Sequence, residues 1–287
     1  IENQVSGLEH AGQLKEIHCD SPQSLEGIQA FNQLTGVYIG NASFANLEPL
    51  AALKQLEGLR LAWGSRQIRD LTPLRSLKRL QSLNLEGQAI TSIAALAELT
   101  NLEYLELRYN QIADVSPIFN LGKIRSLNLD NNQLKQLPDI SRLSSLESLS
   151  ATQNQITELP NITSNSLRHL NLGQNAIRTV AVSGIERLWY LDLSNNPLES
   201  LSFSDEQTIG HLNLNQTGFS DFASLLNTND TLQYLGANQN GITSIAALSS
   251  FARLNGLNLE NNAIVTIGSA FDAMSGTNVQ MTGNPLL

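Results

Sequence analysis

Apolar residues recur along this chain in a unit of 20 to 24 residues, most often 21 or 22. The unit reads L-x-x-L-x-L-x-x-N-x-I. It begins at Leu14, Leu34, Leu56, Leu80, Leu102, Ile124, Leu146, Leu167, Leu188, Ile209, Leu232 and Leu254. An interrupted thirteenth unit opens at Gly276 and supplies Val279, Met281 and Asn284 in phase. Taking the opening residue as position 1, positions 3 to 7 alternate with a period of two. That predicts a short strand with positions 4 and 6 inward and 3, 5 and 7 toward solvent. In LEYLELRYN, Leu105 and Leu107 belong to the core, while Tyr104, Glu106 and Arg108 face out.

Position 9 is asparagine at Asn110, Asn132, Asn154, Asn175, Asn196, Asn240, Asn262 and Asn284. A short amide there can bond backbone groups where the chain leaves the strand, forming a ladder between neighbouring units. Apolar residues follow near positions 11, 14, 17 and 20, as in Ile90, Ile93, Leu96 and Leu99, a three-residue rhythm that suits 3₁₀ turns. Pro73, Pro117, Pro138 and Pro160 fall in this half and fit short turns, not long helices.

No unit can bury its own apolar side, so units must stack and share one core. The expected fold class is an α/β repeat: a right-handed solenoid, or horseshoe, with a parallel β-sheet on its concave side and 3₁₀ or short-helical turns on its convex side. Residues 1–287 read as a single domain of twelve full repeats, with partial repeats at both ends. Ile1–Gln13 fits the back half of a repeat, and the chain stops inside a repeat at Leu287, as a fragment of a longer protein would. An opening on Ile1 also fits removal of an export leader or a longer N-terminal region.

These units, NLEYLELRYNQIADVSPIFNLGKI above all, resemble the internalin-like and phosphatase-regulator class of leucine-rich repeats. VSGLEHAGQLKEI is similar to the first repeats of bacterial surface proteins of that class. The resemblance runs over nearly the whole chain and implies the fold. Repeats of this class serve adhesion, receptor binding and enzyme regulation alike, so it implies recognition without naming a partner. A helical N-terminal cap and a following immunoglobulin-like segment, both part of the internalin pattern, are not evident, so host-cell invasion does not carry over.

Sorting aromatic residues by repeat position separates them by chemistry. Tyr38, Tyr104, Tyr109, Tyr190, Tyr234, Trp63 and Trp189 all occupy positions 2, 3, 5 or 8, on the strand and its exit. All eight phenylalanines, Phe31 through Phe271, lie in the back half. Rings with a polar tip thus line the open face, which is the make-up of binding hot spots. Position 3 reads His169, Tyr190, His211, Tyr234 over four consecutive units, with Trp189 beside Tyr190; strands about 4.8 Å apart would make these one ladder. A second cluster combines Tyr104, Glu106, Arg108 and Tyr109 with Arg60, Trp63 and Glu86. Position 5 adds a stripe of Asn84, Asn128, Asn171, Asn213 and Asn258, read mainly as solvated side chains.

Composition narrows the function classes. The chain has 41% hydrophobic and 15% charged residues and a net charge of −9, which argues against nucleic acid, whose phosphates need clustered Lys and Arg. No apolar run reaches the ~18–20 residues of a membrane-spanning helix. Cys19, the single cysteine, occupies inward position 6 and is expected to be a buried core thiol, with His18 pointing away from it. His169 and His211, two strands apart with Tyr190 between, are too distant to share a metal ion. Glu86, Glu106, Asp130 and Asp192 sit in different columns without evident acid–base pairing, and no phosphate-binding loop, H-E-x-x-H or G-x-S-x-G occurs. Sequons at Asn41, Asn161, Asn215 and Asn229 matter only in a glycosylating host.

The residues thus point to a non-catalytic recognition or adhesion module with no cofactor and no metal. It would take a protein, such as a host or surface receptor, on its concave face, from a secreted or cell-surface location. Two other readings stay open: a cytoplasmic regulatory scaffold of an enzyme, and a carbohydrate-binding surface. The candidate contact residues are Trp189, Tyr190, His169, His211, Tyr234, Tyr104, Arg108, Tyr109, Trp63, Arg60 and Tyr38.

Overall fold

The computed structural model describes residues 13–64, 68–137, 139–159, 162–204, 208–228, 230–272, 274 and 276–287. The expected half-repeat at the N-terminus, Pro138, Pro160 and the sequons at Asn161 and Asn229 lie outside or largely outside these residues. The chain divides into two compact units, one of residues 1–134 with 142–146, the other of 135–141 with 147–287.

In the first unit the strands are β1 (Glu16–Asp20), β2 (Gly36–Ala42), β3 (Gly58–Gly64), β4 (Ser82–Asn84), β5 (Tyr104–Glu106) and β6 (Ser126–Asn128). Each pairs in parallel with the next, and equal repeat positions face each other, as in Leu59 with Leu83 and Leu83 with Leu105. The second unit holds β7 (Ser148–Ser150), β8 (His169–Asn171), β9 (Thr179–Val182), β10 (Tyr190–Asp192), β11 (Ser200–Phe203), β12 (His211–Asn213), β13 (Tyr234–Gly236), β14 (Gly256–Asn258) and β15 (Asn278–Gln280). Its main sheet runs β7-β8-β10-β12-β13-β14-β15, again parallel and in phase.

The core follows the repeat. Leu105 and Leu107 at positions 4 and 6, and Ile90, Ile93, Leu96 and Leu99 behind them, are all buried. Each such side chain contributes ~1.5–3 kcal/mol through loss of contact with water. The back half turns through short 3₁₀ segments such as Thr72–Ser76, Ala94–Glu98 and Ser116–Ile118, with Pro73 and Pro117 in their first turns. A side-chain oxygen two residues ahead accepts the first free N–H: Asp70 from Thr72 and Asp114 from Ser116, both at 2.8 Å. Two repeats depart from the expected turns. Thr179–Val182 and Ser200–Phe203 pair as a second, two-stranded parallel sheet, β9 with β11. Val180, Val182, Leu201 and Phe203 alternate inward there, a β-branched period of two that favours a strand over a 3₁₀ turn.

The position-9 asparagines behave as expected. The Asn132 amide donates to the carbonyls of Leu107 and Leu129, both at 3.0 Å, and its Oδ1 accepts the N–H of Ile112 at 2.9 Å. One side chain therefore ties two consecutive repeats, and Asn110, Asn175, Asn196 and Asn262 repeat the pattern. Ala42 and Gly64 stand at this position in the second and third repeats; without an amide to turn the chain, β2 and β3 run on until these two residues pair. Gln88 replaces asparagine in the fourth repeat. Its longer amide reaches the carbonyls of Leu61 and Trp63 at 3.1 and 3.0 Å.

Two expectations change. Cys19 is half-buried instead of buried, because β1 is the end strand of its sheet among the described residues. The position-5 stripe is not simply solvated: Oδ1 of Asn84, Asn128, Asn171, Asn213 and Asn258 each accepts the N–H two residues on, at 2.9–3.2 Å. Glu106 and Asp192 do the same in their repeats. Position 5 therefore shapes the exit from the strand.

Replacing Asn132 with alanine strands three buried backbone groups. The expected loss is ~1–3 kcal/mol, read as a lower urea midpoint at unchanged slope.

Candidate functional site

Side chains at position 3 of parallel, in-phase strands must stand over one another. His169 faces Tyr190, Tyr190 faces His211, and His211 faces Tyr234. Ring centroids follow at 6.3, 4.8 and 4.2 Å, and the last pair is stacked at 24° between planes. The two other pairs are tilted, at 40° and 37°; Tyr190, His211 and Tyr234 are half-buried and His169 is exposed. Trp189 differs. It lies against Gly210, just before β12, where a Cβ would collide with the indole, and it remains 43% exposed.

Beneath the ladder Asp192 is buried and fully engaged. It accepts from the Tyr190 hydroxyl at 3.2 Å, from Asn213 Nδ2 at 2.9 Å, and from the Ser194 hydroxyl and N–H at 2.6 and 2.8 Å. Asp192 thus orients Tyr190 and leaves little capacity for proton transfer. Burial, reinforced by the Asp192 charge and the hydrogen bond to it, pushes the Tyr190 hydroxyl up to about 12. Burial also lowers the His211 pKa, and the opposing pull of Asp192 does not reverse this.

The first unit carries a second constellation on the same side of its sheet. Position 8 has positive φ in every repeat, 49–58° where it is not glycine, because its N–H must reach the carbonyl at position 7 of the next repeat as the chain turns. Asn, Gln, Ser or Gly fills it everywhere except at Trp63 and Tyr109, with φ of 57° and 58°. Bulky residues in this region are uncommon and mark constrained, often functional positions. Between them sits Gly87, whose missing Cβ lets the indole of Trp63 lie across the turn. The Trp63 and Tyr109 rings therefore meet, with centroids 5.3 Å apart, although their repeats are two apart. Both remain open to solvent, at 39% and 40% exposure, and Tyr104 is 52% exposed.

Charged groups border this pair. Arg108 Nε donates to the buried Glu86 carboxylate at 2.6 Å and lies 3.9 Å from Glu106. Glu106 also accepts the backbone N–H of Arg108 at 3.1 Å and the Asn128 amide at 3.2 Å. Partial burial raises the Glu106 pKa above its ordinary value; Arg108 opposes this, while the Glu86 and Asp130 charges add to it. Glu86 and Arg108, which the repeat pattern placed in one cluster, pair directly. At the edge of this sheet Tyr38 stacks on His18, at 4.6 Å and 19°, and faces the exposed Arg60.

The candidate contact residues thus lie on the solvent side of a strand or beside its ends, in the ladder with Trp189, in the Trp63–Tyr109 constellation, and, for Tyr38 and Arg60, beside His18. His18, Asp192 and the glycines at 87 and 210 were missed. Aligning repeats and noting a glycine beside an aromatic residue of the preceding unit would have found the glycines. Asp192 leaves no such signal, since its role comes from three side chains of two repeats.

Among known families, the paired Leucine Rich repeats model matches residues 78–120 and 100–142, and the single Leucine Rich Repeat model matches residues 187–212. No curated protein sequence matches the chain. An internalin (inlF) of Listeria monocytogenes superposes with a TM-score of 0.74 at 23% identity, covering 95% of this chain and 88% of that one. A leucine-rich-repeat protein of Leptospira interrogans gives 0.75 at 21% identity, covering 96% and 85%. The ectodomain of a plant membrane receptor kinase from Arabidopsis thaliana, solved in complex with CASPARIAN STRIP INTEGRITY FACTOR 2, gives 0.60 at 19%, covering 93% of this chain and 38% of that one. At such identities the likeness is one of fold.

Two outcomes follow from this geometry. Substituting Trp63→Asn or Tyr109→Asn installs the residue type that other repeats use at positive φ, so the urea midpoint should hold or rise, by up to ~1 kcal/mol of stability. Tyr190 ionises at about 12 against an ordinary 10.0, so its neutral form is favoured in the folded state. That contribution is complete below about pH 10 and is lost as pH rises toward 12. Stability measured by urea unfolding should therefore fall more steeply over that range than in Tyr190→Phe.

Proposed function

We propose that this leucine-rich-repeat solenoid is a recognition module that binds a protein partner through the solvent face of its sheet. The fold itself supports a protein-interaction role in general, and the ladder from His169 to Tyr234, with Trp189 beside it, carries the finer reading. Amphipathic rings held rigid by register lose little conformational entropy on binding and bury large apolar area. Trp189 presents an open indole at the margin of that ladder, the residue type that dominates interface energetics.

A protein fits this surface better than a glycan. A sugar ring packs against an open aromatic face, and in the ladder His211 and Tyr234 stack on each other while Tyr190, His211 and Tyr234 are half-buried. Edges, hydroxyls and ring nitrogens instead offer directional contacts to a peptide backbone and side chains. No catalytic role is assigned, since the buried carboxylate of the ladder, Asp192, is saturated by four donors. The sequence likeness to repeats of bacterial surface proteins supports a secreted or cell-surface setting.

The test compares the parent chain with Trp189→Ala/Tyr234→Ala, which leaves the Tyr190–Asp192 bond in place. Partners captured from host and source-organism extracts by the parent alone are purified and their affinities measured. A loss of at least ~30-fold at unchanged melting temperature, in line with two hot-spot residues, is the expected result. Equal affinity for both proteins would remove the ladder as the binding surface.

A further inference from the structure

We propose that the Trp63–Tyr109 pair and the Glu106 carboxylate, three residues before Tyr109 in the same repeat, form a seat for a cationic side chain, lysine or arginine, projecting from a protein partner. The inference rests on the protein-recognition reading for its biological use, but the seat itself belongs to the first unit and can be probed without a partner.

The aromatic half of the seat is built. The indole of Trp63 is laid across Gly87 until it meets Tyr109 at 5.3 Å, and both rings keep open surface. The negative face of a ring attracts a cation within about 6 Å, tryptophan most strongly. The sequence at position 8 elsewhere shows that the fold does not need these rings: asparagine, glutamine, serine or glycine serves in the other repeats.

The charges beside the pair set the sign of the ligand. Glu86, Glu106 and Asp130 share this side of the sheet with Arg108, and Arg60 stands two strands from Glu106 across Asn84. Two carboxylates, Glu86 and Glu106, thus share the single guanidinium of Arg108. Arg108 directs its Nε to Glu86 at 2.6 Å, which leaves Glu106 with the more distant approach of 3.9 Å and two neutral donors. A partner carboxylate would meet this surplus of negative charge, in a chain already at −9. A lysine or arginine would relieve it, while its aliphatic stem packs on the rings.

Protonation supplies a second handle. Glu106 keeps its proton to a higher pH than an ordinary glutamate, chiefly through burial, with Glu86 and Asp130 adding and Arg108 opposing. The seat needs the carboxylate form, so cation binding should weaken as pH falls from 7 toward 5.

The chain has two tryptophans, so Trp189→Phe leaves Trp63 as the single indole reporter. This protein is titrated with acetyl-Gly-Arg-Gly-amide, its lysine equivalent and its glutamate equivalent while Trp63 emission is followed. Saturable changes are expected with the arginine and lysine peptides at millimolar concentrations, and binding of the glutamate peptide should be at least ~tenfold weaker. Glu106→Gln and Tyr109→Asn in the same background should each weaken arginine-peptide binding by ~3- to 10-fold. Glu106→Gln should also abolish the loss of affinity between pH 7 and 5. The proposal is overturned by absence of saturation with either cationic peptide, by a glutamate peptide that binds as well, or by unchanged affinity and pH profile in Glu106→Gln. Because no natural partner enters the assay, failure here leaves the ladder reading standing. Failure of the partner capture likewise leaves this one.

Discussion

The turn off the strand governs the rest of this structure. At that point the backbone swings through positive φ at position 8 and buries polar groups at position 9, in repeat after repeat. An asparagine side chain is short enough to fit and carries both donors and an acceptor, so it satisfies carbonyls of two repeats and an N–H of the preceding one. A buried backbone group left unbonded would cost about as much as a lost hydrogen bond. Where position 9 carries an amide, this ladder ties the end of one strand to the repeat before it, and with it the phase between neighbours. The long strands β2 and β3 show the converse, for they carry alanine and glycine where the amide would be.

Phase is what makes the face of the sheet usable. With equal positions opposite each other, residues about 22 apart in sequence become neighbours at strand spacing. Four rings at position 3 then line up as a ladder, and Asp192 accepts the Tyr190 hydroxyl. The same geometry in the first unit puts Arg108 against Glu86 and lets Trp63 reach Tyr109 over a glycine. In both units a small residue is as necessary as the aromatic beside it, since an indole can lie flat only where no Cβ projects.

The two constellations differ in electrostatic character. The ladder combines neutral tips with one saturated carboxylate, whereas the Trp63–Tyr109 pair stands among charges of both signs with an acidic surplus. Three of the four ladder rings, Tyr190, His211 and Tyr234, are half-buried, whereas Trp63 and Tyr109 are exposed. Directional polar contact suits the ladder, and attraction of a cation suits the pair.

Much of this was written in the sequence. A repeat constrains itself, because each unit must bury the same positions against its neighbours. The pattern L-x-x-L-x-L-x-x-N-x-I was therefore enough to assign the strands, the buried leucines, the amide ladder and the solvent-facing aromatics. It also placed His169, Tyr190, His211 and Tyr234 in one column. Features that depend on lateral contacts between unlike residues were decided only in three dimensions. The back halves at Thr179–Val182 and Ser200–Phe203 became a sheet because two adjacent repeats both offered β-branched or aromatic alternation. Cys19 lost its expected burial at the end strand, where no further described strand flanks it. Position 5 turned from solvent to its own backbone, and the Glu86–Arg108 pair and the Trp63–Tyr109 contact bridged one and two repeats. Periodicity specifies which way a side chain points. What it touches there depends on the length, charge and bulk of its neighbours, and these vary from repeat to repeat.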